Sequence, residues 1–293
     1  MQKREMTEVT LKHKGVFLPF IAADPRRIRY YKKKGNANDP HGIKYITDAL
    51  ERQGFWGVKI YPPLGYLPNN SFLRPLYKYC EAKEIPITAH CLYGGFYSAQ
   101  DVPGDKRKSP KKSVYYWGMA NPLNWKPVLD RYPNLKLNLA HFGGDIFGKK
   151  KLFFKDRDQI RIEKEWRKTI VSYLKQYNNA YADLAYIEAM FCDPDNYFKR
   201  LKKYSLNNKI WKKILYGTDW WANRTLCSES EHLETFSGLA KKHKIRDDQI
   251  SCLLRNNAVE FLGLNNPASG PLFNHINFLA GRGAMLPTWF KFS

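Results

Sequence analysis

The chain has 293 residues, of which 43% are hydrophobic and 15% aromatic, so it can form a sizeable core and wholesale disorder is excluded. Its formal net charge of +22 is carried by scattered clusters such as KRKSPKK (106–112), and no helix-turn-helix, RNP or zinc-knuckle motif accompanies them. We therefore expect the charge to be spread over solvated faces, and we do not expect a nucleic-acid partner.

The chain begins with a charged segment, MQKREMTEVTLKHK (1–14), that lacks the apolar core of a signal peptide. The sequence contains no run of about 18 apolar residues, so no membrane span is expected. Its five cysteines are odd in number and include no CxxC pair. This pattern indicates a reducing compartment, the cytoplasm, without a disulfide framework or a cysteine-based zinc finger.

From residue 15 onward, short apolar runs alternate with amphipathic stretches. Most of the runs are apolar on both faces, which is typical of parallel strands that are covered by helices. The alternation predicts a parallel α/β fold. Strands are predicted at 15–23, 57–61, 85–90, 135–141, 180–186 and 213–219. Helices are predicted at 41–54, 71–84, 121–133, 161–177, 193–205, 228–243 and 247–264.

Two long connections, residues 92–120 and 142–160, each follow a strand that ends in histidine. Long loops in an α/β domain are more often functional than accidental. Residues 265–293 show no clear pattern. We therefore divide the chain into the charged segment 1–14, one barrel-like domain at 15–264 and a C-terminal tail at 265–293.

Polar side chains stand at the ends of several predicted strands. His90 ends ITAH, His141 ends LNLAH and Asp219 ends LYGTD, while Lys59 lies just before the end of GVKIY. In a barrel of parallel strands these ends share one rim, where imidazoles and a carboxylate suit zinc or a similar divalent metal. Each residue also has a structural interpretation: a hydrogen-bonded histidine, a turn aspartate or a snorkelling lysine. The recurrence of polar strand ends favours the metal site.

Several stretches together resemble the amidohydrolase-2 branch of the amidohydrolase superfamily. The resemblance runs from about residue 15 to residue 264, and the run NPLNWKPVLDRYPNLKLNLAHFGG is its most specific part. The other stretches that carry it are GVKIYPPLGY, LYKYCEAKEIPITAHC, YADLAY and ILYGTDW.

The resemblance implies a TIM-type (β/α)8 barrel with a divalent metal, often zinc. It implies hydrolysis of an amide, ester or C–C bond, or decarboxylation of an aromatic acid. By the family pattern His90 is a metal ligand, and His141 binds the substrate or a second metal. Asp219 ligates the metal and orients or deprotonates water. Lys59 falls on or near a position that some relatives fill with a carboxylated, metal-bridging lysine.

The chain departs from the family pattern at its N-terminal end. The family has a His-x-His pair after its first strand, whereas no two of the seven histidines here are separated by a single residue. The six predicted strands correspond to strands three to eight, so the barrel is expected to be N-terminally incomplete. Three explanations remain open: a fragment of a longer protein, a degenerate paralogue without metal, or a barrel that another polypeptide completes.

We expect a metal-dependent hydrolase of a small organic substrate, with decarboxylation as a close variant. His90 would hold the metal, Asp219 would act as the base and His141 would stabilise the oxyanion. The alternative is a non-catalytic barrel that binds an anionic ligand or partner through its lysines. Expected assemblies are a homodimer or a complex with a partner that completes the barrel. Candidate pocket walls are Tyr61, Tyr93 and Trp220.

Overall fold

The structure is a computed structural model that describes residues 2–97, 112–144, 157–186, 189–220 and 228–284. Most of the two long predicted connections lies outside these ranges, in residues 98–111 and 145–156. The described end of the first connection is helical from Lys112 to Gly118. The end of the second already belongs to a helix that begins at Arg157.

Six parallel strands form one sheet in the chain order β1 to β6. All six predicted strands are confirmed, although each is shorter than the apolar run that predicted it. The strands are β1 (Phe20–Ala23), β2 (Gly57–Ile60), β3 (Ile87–His90), β4 (Leu137–Ala140), β5 (Ala180–Asp183) and β6 (Ile214–Leu215).

Helices fill the connections between the strands, and every predicted helix is present. Six of the described helices were not predicted, and they lie at residues 2–12, 25–33, 112–118, 189–192, 208–211 and 270–280. The α-helices are α1 (Gln2–Lys12), α2 (Pro25–Lys33), α3 (Lys44–Arg52), α4 (Arg74–Ala82), α5 (Lys112–Gly118), α6 (Lys126–Arg131), α7 (Arg157–Gln176), α8 (Ala189–Cys192), α9 (Pro194–Ser205), α10 (Asn208–Trp211), α11 (Glu229–Lys242), α12 (Asp247–Ser251), α13 (Asn257–Leu262) and α14 (Gly270–Ala280). A π-helical turn, Cys252–Asn256, joins α12 to α13. Short 3-10 turns lie at Pro62–Leu64, Ser71–Leu73, Pro122–Trp125 and His141–Gly143.

The two faces of the sheet differ in composition. Val58, Ile60 and Leu137 lie in the main hydrophobic cluster, where the sheet packs against its helices. Side chains alternate between faces along a strand, so the neighbouring positions face the other way. That interior face carries Lys59 in register with Thr88, and Thr88 in register with Asn138. The prediction that the strands are apolar on both faces is therefore wrong for this central part of the sheet.

Helix α13 links the two edges of the sheet. Phe261 and Leu262 pack in a cluster with Phe20 of β1 and Leu215 of β6. The Trp56 indole N–H, just before β2, donates to the Leu262 carbonyl at 2.9 Å. Within the described ranges, β1 and β6 each pair with one strand only. The architecture is of the TIM-barrel type, with six parallel strands in the described part of the chain and α13 packed against both edge strands.

No helix in the described part of the chain has the length and apolar character needed to cross a membrane.

Candidate active site

The sheet brings polar side chains from four strands to its carboxyl edge. His90 is the last residue of β3, and Asp183 is the last residue of β5. His141 follows β4 directly, while Lys59 and Tyr61 come from the end of β2 and the residue after it. Since parallel strands end on the same side of a sheet, residues far apart in sequence meet here.

Two histidines form the centre of this site. The Nδ1 atom of His90 lies 3.2 Å from the Nε2 atom of His141, and the ring centroids are 4.8 Å apart. His90 is 4% exposed and His141 is 7% exposed. The prediction that His90 and His141 share one rim is therefore realised as direct contact between their rings.

In each ring, the inner nitrogen faces the other histidine and the outer nitrogen faces away from it. Each outer nitrogen contacts a backbone carbonyl. The Nε2 atom of His90 lies 3.1 Å from the Gly94 carbonyl oxygen, and the Nδ1 atom of His141 lies 3.1 Å from the Ala185 carbonyl oxygen. A carbonyl oxygen only accepts, so each of these ring nitrogens carries the proton of a neutral imidazole. Both inner nitrogens are then left with a lone pair. One shared proton or one cation relieves the repulsion between these lone pairs.

Burial favours the neutral rings. It lowers the pKa of His90 well below its usual value, and the neighbouring His141 and Lys59 lower that pKa further. Burial likewise lowers the pKa of His141, although the carboxylate of Asp183 opposes this shift. At neutral pH both rings are therefore neutral, and their inner nitrogens have lone pairs that could accept a proton or bind a metal ion.

Asp183 anchors His141, and the sequence analysis missed this residue. Its carboxylate accepts hydrogen bonds from the His141 backbone N–H at 2.8 Å and from the Ala185 backbone N–H at 3.1 Å. A third comes from the Asn138 side-chain amide, at 2.7 Å. Asp183 is 8% exposed and Asn138 is 4% exposed. Buried acids and amides need partners, so a polar residue inside an apolar run such as AYADLAY or LNLAH was the available signal.

The chain turns sharply where the strands end. His141 has φ 67°, Phe142 has φ 49° and Asp219 has φ 49°, all in the left-handed region that residues other than glycine seldom adopt. At His141 the hydrogen bond from its N–H to Asp183 helps to hold this conformation. The strain therefore lies at the rim, next to the paired rings.

Lys59 is half-buried on the interior face. Burial lowers the pKa of its ammonium group, and the negative charges of Asp183 and Asp219 act in the opposite direction. Lys59 in turn lowers the pKa values of both His90 and His141. Lys59 and the histidine pair therefore interact electrostatically.

Tyr61, which was predicted as a pocket wall, lies against the histidine pair. Its ring stacks on His90 at 4.3 Å between centroids, and its hydroxyl oxygen accepts a hydrogen bond from the Phe96 backbone N–H at 3.0 Å. Gly95 has φ 89°, and a Cβ atom there would lie 2.5 Å from the Tyr61 hydroxyl oxygen. The loop after β3 thus approaches the site closely because residue 95 is glycine.

The other two predicted wall residues lie in different environments. Tyr93 is buried and packs edge-on against Trp117 and Trp166 at 5.7 Å each. Trp220 is 51% exposed. Of the three predicted wall residues, Tyr61 is the one whose ring stacks on His90.

Asp219 is exposed, and it follows β6 at a distance of four residues. Its charge acts on Lys59, Tyr61 and His141, which places it near the same rim. The structure does not bring it into a ligand group with the histidines: within the described ranges there is no cluster of three or more His, Cys, Asp or Glu that could hold a metal ion.

The amidohydrolase family model matches residues 2–264. The chain belongs to the amidohydrolase family. No curated protein matches it at a significant level. The family match also covers α1, which the sequence analysis left outside the barrel-like domain.

Solved structures share the fold of this amidohydrolase. A TIM-barrel protein from Bordetella bronchiseptica superposes with TM-score 0.52 at 18% identity, covering 89% of this chain and 72% of the other. A probable 2-pyrone-4,6-dicarboxylic acid hydrolase from Acinetobacter baumannii gives 0.54 at 14%, covering 89% and 78%. A dihydroxybenzoic acid decarboxylase from Polaromonas, which holds manganese and the inhibitor 2-nitroresorcinol, gives 0.54 at 14%, covering 90% and 74%.

The paired rings of this amidohydrolase suit a divalent metal in part. Two nitrogens bound tetrahedrally at about 2.0–2.1 Å from zinc are separated by about 3.3 Å, and the inner nitrogens here are 3.2 Å apart. Outer nitrogens tied to carbonyls are the usual support for such ligands. The spacing of the two inner nitrogens would allow them to reach one metal ion, but within the described ranges no cluster of three or more His, Cys, Asp or Glu could hold it.

Proposed function

We propose that this amidohydrolase acts on a small organic substrate by hydrolysis of an amide, ester or C–C bond, with decarboxylation as a close variant. One observation carries the proposal: the carboxyl edge of the sheet holds two buried, neutral imidazoles in contact, beside a lysine and two carboxylates. Burying such polar and charged groups costs free energy, and apolar residues would stabilise the fold better at these positions. A cluster of this kind is therefore typical of a functional site.

His141 is proposed as the general base. Its Nδ1–H donates to the Ala185 carbonyl, so Nε2 has a lone pair and no proton to offer. A neutral ring in this state accepts a proton from water or substrate but does not stabilise an oxyanion by donation. This assignment differs from the mechanism expected from the sequence, in which Asp219 is the base and His141 stabilises the oxyanion.

Lys59 is proposed to stabilise negative charge. It lies in β2 on the interior face, in register with Thr88, and its charge lowers the pKa values of both histidines. An ammonium group in a partly dry site stabilises a carboxylate or a developing oxyanion more strongly than one in water. Tyr61, stacked on His90, would pack against the organic part of the substrate. Small ring carboxylates fit this combination of a cation and an aromatic wall.

His90 is proposed to hold a divalent metal through its inner nitrogen Nδ1, with zinc as the expected ion, while Nε2 of His141 keeps its lone pair to accept the proton. When bound, the metal would supply a Lewis acid that makes hydroxide available near neutral pH. The amidohydrolase residues keep the two nitrogens unprotonated and in place, through burial and through the Gly94 and Ala185 carbonyls. Asp219 would join this group only by moving inward from its exposed position.

The test is the metal content of the purified chain by elemental analysis, for the wild type and for His90→Ala. The matched control is His13→Ala, since His13 is exposed in the N-terminal region. We expect close to one metal per chain in the wild type and the control, and loss of metal in His90→Ala. Metal-loaded protein is then assayed with 2-pyrone-4,6-dicarboxylic acid and a dihydroxybenzoic acid. Equal metal content in all three proteins would refute the site.

A second candidate is a non-catalytic barrel that binds an anionic ligand at Lys59. It is favoured because the described residues form no cluster of three or more potential metal ligands and because Asp219 is exposed. It predicts a folded chain without metal whose binding of citrate weakens in Lys59→Gln and with rising salt, and is unchanged in Asp219→Ala. The catalytic proposal predicts loss of activity in Lys59→Gln and in His141→Ala.

A further inference from the structure

The outer edge of β1 borders a large open groove. Within the described part of the chain, β1 pairs with β2 alone, so its other edge has no neighbouring strand. A groove of about 1130 Å³ runs along Phe20, Ile21 and Ala22 of this strand. We call it the β1 groove. An unpaired strand edge presents backbone donors and acceptors that an added strand can bind.

The walls of the β1 groove are mainly apolar. They include Met6 and Val9 of α1, together with Phe17 and Leu18 from the segment that leads into β1. Met6 is 38% exposed and Phe17 is 44% exposed. Exposed apolar side chains that line one concavity mark an interaction site more often than scattered ones do.

Helix α1 is fixed beside the groove rather than across it. Thr7 donates its hydroxyl to the Gln53 carbonyl at 3.1 Å, and the Lys3 ammonium donates to the Tyr45 carbonyl at 3.3 Å. These contacts hold α1 against the α3 region while the β1 edge stays open. In a right-handed β-α-β crossover, the helix that leads into a strand packs over that strand and over the position of the strand before it. The groove therefore offers an open position for one further strand, with α1 packed beside it.

The charges around the β1 groove are mostly positive. Lys3 and Arg27 line it, against one acid, Glu5. The Arg27 guanidinium lies over the Tyr45 ring at 4.4 Å, which holds it at the groove wall. The surrounding helix α2 has the sequence PRRIRYYKK, and the ion pair that the structure shows for it joins Arg26 to Asp24. Because each chain carries +22, a second copy is repelled, whereas an acidic segment is attracted.

We propose that the β1 groove binds an extended, acid-flanked segment of another polypeptide, which adds to the sheet as a strand beside β1. Backbone hydrogen bonds along β1 would supply affinity, the apolar walls would take alternate side chains, and Arg27 would pair with a flanking acid. This partner surface is independent of the chemistry at the histidine pair.

The test uses the full chain and a fluorescent peptide of about ten residues, with alternating Val and Thr flanked by Asp at each end. The comparison peptide has Lys in place of each Asp. Binding is measured by anisotropy. We expect the Asp-flanked peptide to bind at least about tenfold more tightly than the Lys-flanked one, and the difference to shrink at high salt.

Two pairs of variants locate the binding. Phe17→Glu and Arg27→Glu change groove residues and are expected to weaken binding at least about tenfold. Val16→Glu and Arg29→Glu are the matched controls, since Val16 is 71% exposed and neither residue lines the groove. Controls within about twofold of the wild type support the proposal.

Four results would overturn it. Absence of binding by the Asp-flanked peptide excludes the strand site. Equal weakening in Arg27→Glu and Arg29→Glu indicates diffuse charge attraction. Tighter binding of an oligouridine RNA probe, with equal dependence on both arginines, indicates a nucleic-acid surface. A dimer in light scattering that Phe17→Glu dissociates indicates that a second copy occupies the groove.

Discussion

The carboxylate of Asp183 holds the backbone of His141 through a 2.8 Å hydrogen bond across neighbouring strands. The same carboxylate accepts from Asn138 and from Ala185, whose carbonyl in turn faces the His141 ring. His141 is thus fixed at its backbone and at its outer ring nitrogen by one buried network. The position and the tautomer of the proposed base both depend on Asp183.

Replacement of Asp183 by asparagine is expected to lower the free energy of unfolding by about 2–4 kcal/mol, because a buried carboxylate that accepts three hydrogen bonds is lost. Urea denaturation measures this. Asp158→Asn is the control, since Asp158 is 79% exposed in its ion pair and should change stability by less than about 0.5 kcal/mol. Equal effects in the two variants would contradict the anchoring role.

Gly95→Ala is expected to disturb the site. A Cβ atom would lie 2.5 Å from the Tyr61 hydroxyl oxygen and 3.2 Å from the His90 ring, at a backbone φ of 89°. We expect a loss of about 2–3 kcal/mol in unfolding free energy together with lower metal content. Gly35→Ala has a positive φ of 61° but open space around its Cβ, so it should cost only about 1 kcal/mol and leave metal content unchanged. Similar metal content in both variants would argue against contact between this loop and the histidines.

Phe261→Ala tests whether α13 links the two edges of the sheet. Phe261 is 3% exposed and lies 5.1 Å from the Tyr181 ring centroid. Truncation of a buried phenylalanine costs about 3–5 kcal/mol, which thermal and urea unfolding would detect. Phe273→Ala, at a 43% exposed position in α14, should cost less than about 0.5 kcal/mol. A small effect of Phe261→Ala would mean that the gap is filled in another way.

His275 is expected to make stability fall in acid. Burial lowers its pKa from 6.5 to about 4 in the folded chain. The unfolded chain therefore binds the proton first, and the stability contributed by this residue is complete above about pH 6.5 and is lost as pH falls towards 4. The loss amounts to about 3 kcal/mol. It adds to losses of the same sign from His90 and His141, whose pKa values are also lowered.

The measurement is the urea midpoint between pH 7.5 and pH 4.5 for the wild type and for His275→Asn. Asparagine keeps a donor for the Gly54 carbonyl, which the His275 Nδ1 atom faces at 3.2 Å. The variant should lose less stability across this range than the wild type. An identical pH profile would show that His275 does not contribute.

The strands and most of the helices that connect them could be predicted from the sequence. Apolar runs bounded by turn residues predicted all six strands, because burial between the sheet and its helices requires such runs. Local patterns did not reveal α1 or α2, since both are rich in charged residues. Helix α14 was missed for another reason: its face is buried only by packing against α3 and Trp56, which lie far away in sequence.

The sequence by itself determined that His90 and His141 end neighbouring strands, and the parallel order of those strands then requires them to share a rim. Only the tertiary structure decided what each imidazole contacts. The contact between their rings spans 51 residues, the hydrogen bond from the His141 N–H to Asp183 spans 42, and the one from Asn138 to Asp183 spans 45. Such contacts arise from strand register and from the dehydration of the interior face, which no local pattern of residues encodes. The same reason explains why Asp219, equally prominent in the sequence, lies exposed, while the unnoticed Asp183 became the buried anchor.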